Sequence, residues 1–149
     1  MGEQAMLSNH FSFNELTASA AHPELDEKNR LEAAAFADPL HRLCEGLLEP
    51  VREQFGPVVI LSGFRCPALN AAIKGAGSSQ HLLGEAADFY VPTRQLDSVF
   101  QWIRASKLQY GQVIREPGWI HLSLGEPYRP AEKCRQALVF DGKTYKTAI

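Results

Sequence analysis

Apolar residues recur at helical spacing in the first part of the chain. Five of them lie three or four residues apart: Leu40, Leu43, Leu47, Val51 and Phe55. This spacing places them on one face of a helix, so it predicts a long amphipathic helix over residues 30 to 55. Pro39 and Pro50 lie inside that range, and either can kink or split the helix because proline has no backbone N–H.

Three shorter segments also carry helical signals. Ser12 and Glu15 form a capping-box pattern, which predicts the start of a short helix. Residues 67–73 (PALNAAI) begin with the proline that is favoured at a first helical position. Residues 93–106 predict a second amphipathic helix, whose apolar stripe consists of Leu96, Val99, Phe100 and Ile103.

Shorter apolar runs predict strands. Residues 56–63 (GPVVILSG) are expected to form a short buried strand between turn residues. Residues 111–116, 119–124 and 136–145 are also strand-like. Together the segments predict an α+β fold, a small and mainly antiparallel sheet flanked by helices, in one domain covering residues 1–149.

The segment EPGW, residues 116–119, predicts a hairpin. Proline and glycine occupy the two central positions of a tight turn, as a type II turn requires. The turn implies three facing pairs: Glu116 with Trp119, Ile114 with His121, and Gln112 with Ser123.

Alternation along this hairpin separates a core face from a polar face. The apolar residues that share the core face are Ile120, Leu122 and Leu124. The opposite face carries Trp119, His121 and Ser123, with Gln112 and Glu116 beside them. A histidine accompanied by a carboxylate suits a functional site, although a half-exposed histidine on a sheet surface fits the same pattern.

Composition excludes several classes of partner. The chain has 15 basic and 17 acidic residues, a net charge of -2 and no basic patch, so nucleic acid is not an expected partner. The apolar runs are much shorter than a membrane span, so no membrane insertion is expected. The N-terminal residues lack the pattern of a secretory signal, which predicts a protein that is cytoplasmic as synthesised. Three cysteines without CxxC spacing argue against a disulfide scaffold or a cysteine zinc site, and Cys66 is either a reactive thiol or a structural residue.

His81 and Asp88 lie seven residues apart around Gly84 and raise the question of a metal site. Ala86, Ala87 and Phe89 also fit an ordinary buried strand with Asp88 at its end, so this pair decides nothing alone. Adding His121 makes a set of two histidines and one carboxylate. Catalytic zinc sites use three such protein ligands and leave a fourth position for water.

These motifs resemble the zinc D-alanyl-D-alanine carboxypeptidase and peptidoglycan-endopeptidase family, the M15 peptidases. LSGFRCPALNAAIKGAGSSQHLLGEAADF resembles the family's SGxR segment followed by SxHxxGxAxD, and WIHLSL resembles its WxHxS strand. The resemblance implies that His81, Asp88 and His121 bind Zn²⁺, with Arg65 and Ser79 lining the substrate site. It is closest to the compact phage and prophage enzymes that cut cell-wall peptides.

The general base departs from the family pattern. Several relatives place a glutamate three residues before the last histidine, where this chain has Gly118. Glu116, on the ligand face of the predicted hairpin, is the preferred candidate, and Glu85 is the reserve. Arg65 follows a predicted strand directly, so its guanidinium can clamp a carboxylate or polarise the scissile carbonyl.

Three further residues are expected to contact substrate, each with an ordinary alternative. Ser79 can instead cap a helix or turn, and Gln112 can be a polar strand residue. Trp119 can stack on the substrate or shield the metal.

Two functions follow from these expectations. The first is a zinc peptidase that hydrolyses an amide bond in peptidoglycan stem peptides, as a carboxypeptidase or an endopeptidase. The second is a non-catalytic cell-wall-binding or phage structural module that retains the fold, which the displaced glutamate keeps open.

Overall fold

The computed structural model describes residues 5–148. Five α-helices lie in this part of the chain: α1 (Asp26–Ala33), α2 (Ala37–Leu43), α3 (Glu49–Phe55), α4 (Pro67–Ala72) and α5 (Leu96–Ala105). Six strands accompany them: β1 (Val59–Ser62), β2 (Ala86–Tyr90), β3 (Tyr110–Arg115), β4 (Ile120–Leu124), β5 (Gln136–Phe140) and β6 (Tyr145–Thr147).

The six strands form one sheet in the order β1-β2-β4-β3-β5-β6. Every neighbouring pair is antiparallel except β3 and β5, which run parallel. The α+β fold with a mainly antiparallel sheet is therefore confirmed. The parallel pair is possible because residues 116–135 carry the chain from the end of β3 back to the level where β5 begins.

The long helix predicted for residues 30 to 55 is a series of three helices that begins at Asp26. A 3-10 turn (Ala34–Phe36) separates α1 from α2, and a π-helical segment (Cys44–Leu48) separates α2 from α3. Each irregular segment precedes a proline, Pro39 or Pro50. Because neither proline has an N–H to donate to the carbonyl four residues earlier, the regular helical bonding is interrupted there, as the sequence predicted.

The apolar faces of the helices cover one side of the sheet. The helical stripe of Leu40, Leu43, Leu47 and Val51 is at most 1% exposed, and α2 packs against β4. Val99, Phe100 and Ile103 of α5 are equally buried, and this helix packs against β3. Each such side chain contributes roughly 1.5–3 kcal/mol through burial. The helices occupy this face, so the other face of the central strands remains open for chemistry.

Two predictions about local structure are wrong. The capping-box bonds form, with Glu15 N–H donating to Ser12 Oγ and Ser12 N–H to Glu15 Oε1. Residues 13–17 nevertheless form only a turn, because the chain leaves the helical path after one turn and Phe64 N–H bonds Leu16 O. The strand predicted as buried is β1, an edge strand of the sheet, and Leu61 within it is 45% exposed.

Two strand predictions also need revision. The strand-like range 136–145 contains a turn, so it supplies all of β5 and only the first residue of β6. The Glu116–Trp119 turn is not of type II, since Gly118 lacks the positive φ which that turn requires. The hairpin register holds next to the turn, with Ile114 opposite His121 and Glu116 N–H donating to Trp119 O over 2.9 Å. A bulge between Tyr110 and Val113 interrupts it where Gln112 and Ser123 were expected to pair.

Among residues 5–148, none of the helices combines the length and the apolar character needed to cross a bilayer.

Candidate metal centre

The three predicted metal ligands meet on the open face of the sheet. His81 lies in a 3-10 turn (Gln80–Leu83), Asp88 lies in the middle of β2, and His121 lies in β4. Pairing of β2 with β4 sets Asp88 directly opposite His121. One ligand atom from each residue lies within 4.8 Å of the other two. The chain therefore brings together two imidazoles and one carboxylate from segments that are distant in sequence.

Local structure fixes the position and the tautomer of His81. Ser79 Oγ accepts the His81 backbone N–H over 3.1 Å, and Gly84 ends the turn with a left-handed φ of 70°. The imidazole Nδ1 lies 2.7 Å from the carbonyl oxygen of Gly63. Because a carbonyl only accepts, Nδ1 carries a ring proton, and Nε2 is the atom that faces Asp88 Oδ1, 3.2 Å away. Ser79 thus has the capping role that the sequence left open.

Asp88 Oδ1 is the point on which both histidines converge. His121 Nδ1 lies 2.9 Å from this oxygen, and the two imidazole rings are 5.1 Å apart. Burial alone would raise the pKa of Asp88, but the charges and hydrogen bonds of His81 and His121 outweigh it and hold that pKa well below its usual range. Burial lowers the pKa of His81, against the opposing charge and hydrogen bond of Asp88.

The chemistry of these three side chains fits a zinc ion. Zinc binds neutral imidazole nitrogen and ionised carboxylate oxygen, and the three side chains offer that donor set. His81 also has the Nδ1–H···O=C bond that commonly orients a ligating imidazole. The residues present are therefore suited to hold the metal that the sequence motifs imply.

Arg65 lies beside the ligands in the loop that follows β1. Its Nη2 is 3.5 Å from Asp88 Oδ2, while Nε donates to Ser62 Oγ and Nη1 to Asn70 Oδ1, each over 3.1 Å. The side chain is 11% exposed. Burial lowers the pKa of Arg65, against the opposing effect of the Asp88 charge. A guanidinium held by three groups presents a fixed positive charge next to the ligand set.

Asn29 is a buried positioning residue that the sequence analysis missed. Its Nδ2 donates to the carbonyls of Thr17 and Phe64, and its Oδ1 accepts the Cys66 N–H over 2.7 Å. These bonds clamp the backbone on both sides of Arg65. No local signal marks Asn29, because it lies in a polar helical segment with ordinary composition. Its neighbour Cys66 is fully buried, which favours the structural interpretation of that thiol.

An open cleft of about 810 Å³ surrounds the three ligands. All five of the other predicted site residues line it: Arg65, Ser79, Gln112, Glu116 and Trp119. Ten further lining residues were not predicted, among them Ile114, Arg129, Lys133, Leu138, Phe140 and Tyr145. Alternation along β5 would have placed Leu138 and Phe140 on one face, but only the parallel pairing with β3 shows which face that is.

Strand register arranges the open face of the sheet in rows. Asp88 is opposite His121, His121 is opposite Ile114, and Ile114 is opposite Leu138. The row that begins with Asp88 and His121 therefore continues on β3 and β5 with two apolar residues, Ile114 and Leu138, which also line the cleft.

The two candidate bases differ in their surroundings. Glu116 is 7% exposed and lines the cleft. Burial and the nearby Asp88 charge raise the pKa of Glu116, while His121 and the Tyr145 hydroxyl act in the opposite direction. Glu85 does not line the cleft; its Oε1 accepts from Gln80 Nε2 over 3.0 Å, and burial raises its pKa. The cleft therefore contains the preferred candidate and not the reserve.

Gln112 is held in place by two contacts. Its backbone N–H donates to Ser123 Oγ, and its side chain donates to Gln136 Oε1, each over 3.0 Å. A bulge between Tyr110 and Val113 shifts the register here, so Gln112 and Ser123 are neighbours joined through a side chain. Gln112 thus has the structural role left open by the sequence and also faces the cleft.

Comparison with known proteins agrees with this geometry. The family model described as Peptidase M15 matches residues 9–123, a range that includes all three ligands and both candidate bases. No curated protein matches the chain. The match covers most of the chain, and the chain belongs to the M15 peptidase family.

Proposed function

We propose that this chain is a zinc-dependent peptidase that hydrolyses an amide bond in peptidoglycan stem peptides. The observation that carries the proposal is the convergence of His81, Asp88 and His121 in an open cleft, in a chain of the M15 family. Family membership supports a peptidase and a peptide substrate. The peptidoglycan substrate, located in the bacterial cell wall, and the likeness to compact phage enzymes rest on the sequence motifs.

The ligand set determines what the metal would contribute. Zinc held by His81, Asp88 and His121 would supply Lewis acidity and lower the pKa of water to about 7. His81 would bind through Nε2, since its Nδ1 donates to Gly63. His121 would bind through Nδ1, the atom that faces Asp88.

Arg65 would stabilise negative charge during the reaction. Its guanidinium lines the cleft and lies 3.5 Å from Asp88, so it is close to any carbonyl that reaches the ligand set. It is almost fully buried, and in such surroundings a fixed positive charge interacts strongly with a developing oxyanion.

Glu116 would move the proton. It follows Ile114 by two residues on the same strand face, and Ile114 is opposite His121. That offset is about 7 Å along the strand, a distance that a glutamate side chain and one water can span. Glu116 would accept a proton from the attacking water and donate it to the leaving amine.

The second candidate function is a wall-binding module without catalysis. The observation in its favour is Gly118, which stands where several relatives have the catalytic glutamate. The two functions differ in one measurable product. A peptidase cleaves wall peptides and exposes new amino groups, whereas a binding module binds the wall and leaves it unchanged.

The test is incubation of the zinc-loaded protein with purified peptidoglycan, followed by quantification of newly freed amines. We expect release that stops on chelation and in His121→Ala. His22→Ala is the matched control, because His22 contacts Glu24 outside the cleft. Binding to the wall without amine release would favour the second function, and neither binding nor release would contradict both.

A further inference from the structure

We propose that Arg129 binds a carboxylate of the substrate at one end of the cleft, with Lys133 adding a second positive charge. Both residues line the cleft and lie beyond residue 123, where the family match ends. The inference rests on the proposed function, in that it assigns the peptide an acidic group near the scissile bond. It makes these residues determinants of specificity and leaves the chemistry to the ligand set.

Contacts on two sides hold the Arg129 side chain in place. Its Nη1 donates to Gln80 Oε1 over 3.2 Å, and Gln80 Nε2 donates to Glu85 Oε1 over 3.0 Å. Its aliphatic part lies against Gly111, where a Cβ would come within 3.0 Å of Arg129 Cδ. A glycine at position 111 therefore gives the arginine room to lie along β3. Arg129 is oriented before any substrate arrives.

The remaining donors of Arg129 suit an anion. A guanidinium has five N–H donors, and the side-chain hydrogen bond from Nη1 to Gln80 Oε1 uses one of them. The Glu85 carboxylate behind Gln80 interacts with Arg129 through its charge, since Arg129 acts to lower the pKa of Glu85. The side chain is half-buried, so water competes for it less than at an open surface. A planar fork of this kind pairs with a carboxylate through two parallel hydrogen bonds.

The two ends of the cleft differ in charge and polarity. Toward the β3–β4 turn the cleft is aromatic and acidic, with Trp119, Phe140, Tyr145 and Glu116. Toward the other end of β3 it presents Arg129 and Lys133. The carboxylate of Glu116 would repel an anion at the first end. A peptide lying along the strands would therefore place its acidic group on the Arg129 side.

Strand geometry sets the distance of that group from the ligands. Gly111, against which Arg129 packs, is three residues along β3 from Ile114, which is opposite His121. Three residues span about 10 Å, so the substrate carboxylate is expected within about three residues of the scissile bond.

The experiment uses three versions of L-Ala-γ-D-Glu-L-Lys-D-Ala-D-Ala. In the first both backbone carboxylates are free, in the second the glutamyl carboxylate is amidated, and in the third the C-terminal carboxylate is amidated. Hydrolysis (kcat and KM) and binding (calorimetry) are measured with the zinc-loaded full chain. We expect amidation of one carboxylate to weaken binding by about 10- to 100-fold, the range of a charged hydrogen bond.

Variants connect that loss to Arg129. Arg129→Ala should bind all three peptides equally weakly, mainly through KM, and Arg129→Lys should restore part of the preference. Lys133→Ala should have a smaller effect in the same direction, since Lys133 is exposed. The matched control is Arg94→Ala, which removes an exposed arginine outside the cleft and should leave the preference unchanged.

The outcomes separate this inference from the proposed function. Hydrolysis with no preference among the peptides, or a preference that survives in Arg129→Ala, would overturn the inference and leave the peptidase intact. Binding with an Arg129-dependent preference but no hydrolysis would support the inference and contradict catalysis. Failure to bind any of the peptides would overturn it as well.

Discussion

Replacing Glu116 with glutamine tests its role as the general base. Gln has nearly the same shape, so the cleft wall should keep its packing while losing the group that moves the proton. If Glu116 transfers the proton, kcat should fall by about 10²- to 10⁴-fold. That loss corresponds to a rise of about 2.7–5.5 kcal/mol in the activation barrier.

The stability of the same variant should not fall. Burial and the Asp88 charge raise the pKa of Glu116, so the ionised carboxylate is less favourable in the folded protein than in the unfolded chain. An acid with a raised folded pKa destabilises the fold above that pKa, and the penalty disappears as pH falls through it. At neutral pH, Glu116→Gln removes this penalty, so the metal-free variant should melt at the same temperature as the native chain or higher.

Glu85→Gln is the matched control for this experiment. Glu85 is also buried with a raised pKa, but it bonds Gln80 and does not line the cleft. Its variant should bind zinc normally and retain turnover within a few-fold of the native rate. The assays are amine release by zinc-loaded protein and thermal melting in the presence of chelator.

If kcat falls while the melting temperature stays the same or rises, misfolding cannot be the cause. A Glu116→Gln variant with near-native turnover would refute the assignment of the base. A large rate loss confined to Glu85→Gln would transfer the role to that residue.

The remaining predictions concern metal, pH and backbone. Protein purified without chelator should contain about one zinc per chain, as measured by metal analysis. At a zinc concentration about 100 times the Kd, binding adds about 2.7 kcal/mol to the free energy of unfolding, so chelation should lower Tm by roughly 5–10 °C. Identical melting curves with and without chelator would contradict a bound metal. Because the folded pKa of Asp88 is lowered, its ionised carboxylate stabilises the fold at pH values above 3.8, the ordinary pKa of the group, and this stability is lost as pH falls through the folded pKa. Urea unfolding of metal-free protein should show the loss of stability at acid pH, and Asp88→Asn should make the stability less dependent on pH there. Gly84→Ala should cost about 1–3 kcal/mol of unfolding free energy and weaken zinc binding, because φ is +70° and a Cβ would lie 3.1 Å from Leu40 and Phe36. Gly77→Ala, with nothing within 4 Å of the added Cβ, should be close to neutral by the same denaturant assay.

The sequence by itself pointed to the three candidate metal ligands, which the fold brings together, and to the hairpin that carries one of them. The facing pair Ile114 and His121 was predictable, because alternation along a strand is a local property and a short turn leaves little freedom of register. The turn type was not predictable from Pro117 and Gly118 alone, since more than one backbone conformation closes the same hairpin. The helix signal at Ser12 failed for a related reason. Its capping bonds are local, but extension of a helix depends on the packing of the next residues, and Phe64 bonds the turn instead.

Only the tertiary structure decided how the cleft is completed. Asn29 clamps the Arg65 loop through contacts that span 12 to 37 residues, so no short pattern could reveal it. Parallel pairing of β3 with β5 brings Leu138 to the site, and antiparallel pairing of β5 with β6 brings Tyr145. The fold of residues 125–135 places Arg129 there as well. Residue spacing encodes which side chains share a face of one helix or strand. Which elements then meet depends on packing throughout the core. That packing places Arg129 in the cleft with the candidate metal ligands.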